Sequence, residues 1–188
     1  RRHVDRMLAL VVGRAAAVEP VAFARRDPRA FALGPLLLHA AHDIAVARGQ
    51  CLEHYGAGEA YLPVLDAFAR LARHTGGEWI TAHLRQHAPA WLLELPSLIP
   101  AAERATLQQQ IGAATRERML REMADAVEAM TVTSPLILVL EDLHWSDYST
   151  LDLVGYLARR RDAARLMVIG TYRPVDVIVS EHPLKDVK

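Results

Sequence analysis

The chain has 188 residues, enough for one ordinary domain, and 52 % of them are apolar, so a sizeable core can form. Lys+Arg and Asp+Glu both number 22, which argues against a broad nucleic-acid footprint, since that needs a basic excess. The single cysteine, Cys51, excludes an internal disulfide, and no apolar run approaches the ~20 residues that span a bilayer. A lone cysteine fits a reducing cytoplasm, and Cys51 reads as a small buried hydrophobe. Leu8–Val12 is too short for a signal peptide and is followed by Arg14, so a soluble cytoplasmic protein without a membrane partner is expected. Lys185 and Lys188 are the only lysines; with the high alanine content this reads as a coding bias toward GC.

Residues 1–50 are rich in Ala and Arg. Val4–Val18 reads as a helix, with Leu8, Val11 and Val12 on a shared face. Pro20, Pro28 and Pro35 then break the chain three times, and Leu36–Val46 reads as a further helix. No part of this stretch alternates like a strand. Gly56 and Gly58 mark a turn. Glu59–His74 follows as an amphipathic helix, with Tyr61, Leu65, Phe68 and Leu71 at helical spacing and Pro63 tolerated in the first turn. Gly76–Gly77 end it, and Glu78–His87 predicts a short helix. Pro89, Pro96 and Pro100 bound a predicted loop holding Trp91, Leu92, Leu93 and Leu95. Ala101–Met130 predicts one long helix with a stripe of Leu107, Ile111, Met119, Met123, Val127 and Met130. These elements have the pattern of a helical insertion.

Ser134–Pro135 stops that helix and the pattern switches. Leu136–Leu140 is aliphatic on both faces, as a central parallel strand must be. Ser149, with Asp152 three residues on, reads as the capping box of a helix Thr150–Arg161. Leu166–Gly170 is a second short strand. Strand, helix and strand make a βαβ unit, so the fold class is α/β.

The chemistry gathers where the first of these strands ends, at Glu141-Asp142-Leu143-His144-Trp145-Ser146-Asp147. Ligands of open α/β sheets bind beyond the carboxyl ends of the strands. Two adjacent carboxylates there suit a Mg²⁺–nucleotide site: one holds a hydrated metal, the other orients or deprotonates a water. A solvated acidic turn is the plain alternative, and the added His-Trp-Ser-Asp weighs against it.

The string Leu138-Val139-Leu140-Glu141-Asp142-Leu143-His144-Trp145-Ser146-Asp147 resembles the Walker B segment of STAND-type AAA P-loop ATPases. These modules occur in large bacterial transcriptional regulators and in nucleotide-cyclase fusions. Gly49–Pro63 is similar to the family segment after the first helix of the ATPase core. His87–Leu92 and Ala114–Met119 resemble its helical insertion, and Gly170-Thr171-Tyr172-Arg173-Pro174 resembles its sensor 1 strand end. The resemblance runs from Arg48 to Lys188. It implies a partial P-loop NTPase parallel sheet with a helical insertion, ATP and Mg²⁺ as cofactors, and fused or partner regulatory domains. Glu141 takes the metal-ligand place, with Asp142 beside it as second metal-side carboxylate and catalytic group. Thr171 and Arg173 take the nucleotide-binding sensor places, Arg173 also as a cation stabilising transferring charge. Many relatives have Asp where Glu141 stands, so the metal geometry is loosened by a methylene.

One part is missing. A phosphate-binding loop needs G-x-x-x-x-G-K-[ST], and no lysine precedes Lys185. Val12-Gly13-Arg14 resembles the motif that opens the module, but Ala15–Ile44 resembles nothing in the family. Good matches on either side of a foreign stretch point to a shifted reading frame or a diverged pseudo-module. The resulting division is 1–48 as an atypical segment replacing the P-loop region and 49–188 as a partial ATPase core, with 49–133 the helical insertion and 134–188 the Walker B and sensor 1 unit. The leading function is the ATP-binding module of a signal-transducing regulator, weak in nucleotide binding as this chain stands. The rival is a non-catalytic interaction or regulatory fragment that keeps the scaffold.

Other constellations are weaker. His83 and His87, spaced i, i+4, have no third ligand and read as a solvated helix face; His39 and His42 offer the same signal. Trp91 reads as a core anchor. Gly56 and Gly58 lack the third glycine of a dinucleotide fingerprint, and no G-x-S-x-G exists for a serine hydrolase.

Overall fold

The structure, a computed structural model, describes residues 8–13, 22–25, 44–53, 59–160, 164–179 and 183–186. Five strands form one sheet: β1 (Leu8–Gly13), β2 (Ala22–Arg25), β3 (Ala45–Gln50), β4 (Leu136–Glu141) and β5 (Leu166–Tyr172), in the order β2-β1-β5-β4-β3. β3, β4 and β5 are parallel, with Ala45 opposite Leu136 and Leu136 opposite Leu166. β1 pairs antiparallel with both β5 and β2.

The helices are α1 (Leu62–Arg73), α2 (Glu78–His87), α3 (Pro89–Leu93), α4 (Ala101–Ile111), α5 (Arg116–Thr133), α6 (Tyr148–Arg159) and α7 (Pro174–Val179). The first five all lie between β3 and β4, so the crossover joining two neighbouring parallel strands carries the whole helical insertion. α6 is the crossover between β4 and β5, as the βαβ pattern required. The chain is therefore α/β, with the parallel sheet of a partial P-loop NTPase-type fold and a helical insertion.

The core explains the strong patterns. Leu136, Leu138 and Leu140 of β4 and Leu166 and Val168 of β5 are buried, as is Leu153 of α6. Phe68, Ile80, Leu84, Met123 and Met130 are fully buried within the insertion. Trp91 is its anchor: its ring lies 4.9 Å from Tyr61, and its indole N–H donates to the Met119 carbonyl at 2.8 Å.

Several local expectations are corrected. Val4–Val18 is not a helix, because Leu8–Gly13 is strand β1; Val11 and Val12 are β-branched, and the free side of β5 offers backbone partners along the whole run. The helix expected over Leu36–Val46 ends in residues that belong to β3. The loop between Pro89 and Pro100 contains helix α3 and a 3₁₀ turn, Pro96–Leu98, since proline is permitted at the first helical position. The long helix Ala101–Met130 is two helices. Gly112, at φ 63°, closes α4, and the Thr115 hydroxyl caps α5 by accepting from Arg118 N–H at 3.3 Å. No residue of α4 is fully buried. The expectations for His39, His42, Gly56 and Gly58, and for nearly all of Ala15–Ile44, lie outside the described residues. The boundary after residue 48 falls inside β3.

β3 was hidden by its composition. Ala47 and Gly49 are buried while Arg48 and Gln50 are exposed, so the strand does alternate, but with the smallest side chains on its inner face. α1 demands this: a Cβ on Gly49 would sit 1.8 Å from the Pro63 carbonyl oxygen and 2.7 Å from its carbon. Gly49→Ala should therefore cost about 1–3 kcal/mol or more through backbone displacement. Gly155→Ala, inside α6, meets only the mobile tip of Arg159 at 3.2 Å and should be neutral or up to about 1 kcal/mol stabilising. Thermal unfolding of the two variants beside wild type checks this pair.

Candidate functional site

β4 ends at Glu141, and the chain turns at Asp142 with φ 58° and ψ 43°. This left-handed conformation is uncommon outside glycine, although Asp tolerates it better than most. Three bonds hold the turn. Asp142 N–H donates to Thr171 Oγ1 at 3.1 Å, Gln50 Nε2 donates to Asp142 Oδ2 at 3.4 Å, and Cys51 N–H donates to the Glu141 carbonyl at 2.9 Å. Glu141 and Asp142 are both half-buried. The ends of β3, β4 and β5 thus meet at one edge of the sheet.

Leu143–Trp145 forms a short 3₁₀ turn, closed by Trp145 N–H to the Asp142 carbonyl at 2.9 Å. Leu143 and His144 are buried beneath it, and Trp145 is partly exposed. Asp147 then spends its carboxylate on structure. It accepts from Thr150 N–H at 2.8 Å, from Thr150 Oγ1 at 2.6 Å and from Tyr61 N–H at 3.2 Å. Asp147 is therefore the N-cap of α6, and the expected cap at Ser149 lies one residue inside the helix. The same carboxylate secures Tyr61, a second left-handed residue at φ 63°, and so ties the start of the insertion to the acidic turn. Aspartate with Thr three residues on is a readable cap; Ser149–Asp152 offered a competing one.

Thr171 is buried, and its hydroxyl oxygen faces the Asp142 backbone. Arg173 lies just past β5 on the same edge and is exposed. Its N–H donates to His144 Nδ1 at 3.4 Å, and its Nη1 lies 3.9 Å from Asp176 Oδ2. The structure brings Asp142 and Thr171 into contact, and joins Arg173 to the same turn through His144. His144 and Asp147 stood in the sequence only as letters of the motif, because Arg173 lies 29 residues from His144 and Tyr61 lies 86 from Asp147. Burial raises the Tyr172 and Tyr61 hydroxyls above their ordinary range.

The far edge matters as much. Leu8 stands opposite Tyr172, and Gly13 opposite Met167. β1 therefore ends at the edge away from Glu141 and Asp142, whereas β2, antiparallel to β1, ends at Arg25 on the same edge as the two carboxylates. Two adjacent carboxylates fit Mg²⁺, which takes one or two of them plus waters. A triphosphate fits poorly: its usual cradle is a row of free backbone N–H groups at a helix N-terminus. At this edge the Asp142 and Arg173 amides are already engaged by Thr171 and His144.

The arrangement is a parallel α/β sheet with an acidic strand end beside a strand that ends in Thr171 and Arg173. The AAA ATPase domain family matches residues 31–169, most of the chain, and the chain belongs to that family. The matched stretch begins at residue 31, so it takes in the last part of Ala15–Ile44 that was expected to be foreign to the family; it contains Glu141 and Asp142 and stops before Thr171 and Arg173. No curated protein and no solved structure matches the chain. Among the described residues, no helix is long and apolar enough to cross a membrane, and no group of three or more His, Cys, Asp or Glu side chains is placed to hold a metal ion. His83 instead bonds the Trp79 carbonyl through Nδ1 at 2.8 Å.

Two outcomes follow from this packing. Asp147→Ala should destabilise the protein by about 1–3 kcal/mol, since it removes a cap and orphans the Tyr61 N–H, while Asp147→Asn should retain most of the stability; chemical denaturation distinguishes them. Burial, then Asp147 and Asp142, push the Cys51 thiol up to about 12 from 9.0. Its thiolate is thus nearly absent at neutral pH, and the fold should lose stability as pH rises from about 9 toward about 12. A thiol reagent at pH 8 should leave Cys51 unlabelled in the folded protein and label it promptly in denaturant.

Proposed function

We propose that this chain is the Walker B and sensor portion of a STAND-type AAA ATPase module from a bacterial signal-transducing regulator, and that as it stands it is deficient in nucleotide binding. In this reading residues 49–133 are the helical insertion and 134–188 carry the site. Glu141 is the principal Mg²⁺ ligand. Asp142 is the catalytic carboxylate of intact relatives, and Thr171 and Arg173 are their sensors. Intact relatives use bound ATP to switch conformation and pass that change to fused or partner regulatory domains in the cytoplasm.

The observation that carries the reading is the direction of β1. A strand beside β5 running parallel to it would end at the acidic edge; β1 runs the other way. With no lysine before Lys185, the lysine of a G-x-x-x-x-G-K-[ST] loop that would hold a γ-phosphate there is missing. Antiparallel β1 also favours the second reading, a regulatory or interaction fragment that keeps the ATPase scaffold. Family membership and the intact acidic turn favour a nucleotide-linked origin for either.

Phosphoryl transfer is catalysed by positioning and electrostatic stabilisation. Losing the group that holds the phosphates near the water forfeits a proximity term of ~7 kcal/mol or more. At about 1.36 kcal/mol per decade, turnover falls by roughly five decades. The purified chain should therefore show no saturable micromolar binding of a fluorescent ATP analogue in Mg²⁺. Its phosphate release should match that of a Glu141→Gln, Asp142→Asn double variant. Mn²⁺, used as a probe for Mg²⁺, should bind weakly to wild type and not to the double variant. Micromolar analogue binding, with hydrolysis that the double variant abolishes, would overturn the reading.

A further inference from the structure

His144 stands two residues beyond Asp142 and is 3 % exposed, an expensive place for an imidazole unless its nitrogens are engaged. Nδ1 accepts from Arg173 N–H at 3.4 Å. Nε2 lies 3.4 Å from Asp176 Oδ2, and that oxygen lies 3.9 Å from Arg173 Nη1. The ring is stacked obliquely on Trp145, with centroids 5.0 Å apart. One side chain on the β4 turn thus reaches both ends of Arg173: the backbone directly, and the guanidinium through Asp176.

We propose that His144 is a positioning residue that locks the Arg173 turn to the acidic turn and, through Asp176, sets the direction of the Arg173 guanidinium. Apolar filling alone would be served as well by Phe, which has no acceptor for the Arg173 N–H. The bond fixes the tautomer. A ring nitrogen that accepts an N–H carries no hydrogen itself, so the neutral ring holds its hydrogen on Nε2, the nitrogen facing Asp176. The Asp176 carboxylate then makes electrostatic contacts with both the His144 ring, at 3.4 Å, and the Arg173 guanidinium, at 3.9 Å. It restrains the cation at the edge where Glu141 and Asp142 end. The proposal deepens the reading of Arg173 as a sensor and rests on it for meaning, but its bonds can be observed without nucleotide. Failure of the ATP titration and failure of these bonds are therefore separate results.

The test uses the full chain labelled with ¹⁵N, at pH 8, without nucleotide. Long-range ¹⁵N NMR of the His144 ring should show the Nε2–H tautomer. Amide exchange at Arg173 should be roughly tenfold faster in His144→Phe, which loses one hydrogen-bond acceptor. It should return toward wild type in His144→Asn, whose amide oxygen lies near the Nδ1 position. Exchange at Leu138 and Val168 should stay unchanged in both, showing that the sheet persists. Asp176→Asn should leave the Arg173 amide protected and make its Nε–Hε signal more mobile. An Nδ1–H tautomer in wild type would overturn the proposal, and needs no variant that might fail to fold. So would unchanged Arg173 exchange in His144→Phe, no recovery in His144→Asn, or a guanidinium equally mobile in wild type and Asp176→Asn.

Discussion

Parallel backbone pairing of β4 with β5, from Leu136–Leu166 to Leu140–Gly170, sets two strand ends side by side, and the acidic edge is built on that juxtaposition. Asp142 turns there in a left-handed conformation that costs about 1 kcal/mol or more for a residue with a Cβ. The bond to Thr171 Oγ1 offsets that cost from the neighbouring strand. Each further turn is attached in the same way. Arg173 is attached through His144, and the start of the helical insertion through Asp147 and Tyr61. A shift of β5 by one residue would disconnect the Thr171 and Arg173 bonds together, because both run from the end of β5 to the turn after β4.

On the other side of β5 the polarity reverses at β1 and returns at β2. Parallel strands deliver their following loops to one edge, whereas an antiparallel neighbour delivers its loop to the other. With Gly13 opposite Met167, β1 ends away from the carboxylates. Among the described residues, the edge keeps the groups that suit a hydrated cation and shows no row of free amides of the kind that suits a phosphate chain. Its two best-placed amides already serve the turn itself. Membership of the AAA ATPase family and the proposed weakness in nucleotide binding are compatible on these terms, since the proposed metal ligands and a phosphate cradle would come from different strands.

The parts legible in the sequence were those with one dominant local signal. Leu136–Leu140 and Leu166–Gly170 are apolar on both faces, and the acidic pair directly after the first of them pointed to the ligand edge. Glu78–His87 carried a clean helical period between breakers. Less legible were elements whose identity is settled from outside. β3 consists of Ala, Val, Arg, Gly and Gln, with α1 packed within contact of Gly49, so Val46 is its one β-branched residue to advertise a strand. β1 is a short apolar run, for which helix and strand periods cannot be told apart without its partner. The cap of α6 was misplaced by two residues because Asp147 and Ser149 are both good caps; the Tyr61 N–H reaching Asp147 is a tertiary fact. His144 was visible as a letter in a motif, but its partners Arg173 and Asp176 come together only when β5 lies beside β4.

The direction of β1 is the claim on which the account most depends, and backbone NOEs between β1 and β5 measure it directly. The account expects cross-strand contacts that pair Leu8 with Tyr172, Leu10 with Gly170 and Gly13 with Met167. Contacts that instead bring Gly13 beside Tyr172 and Leu8 beside Met167 would make the strand parallel. They would return its following loop to the edge of Glu141 and Asp142, and contradict the account.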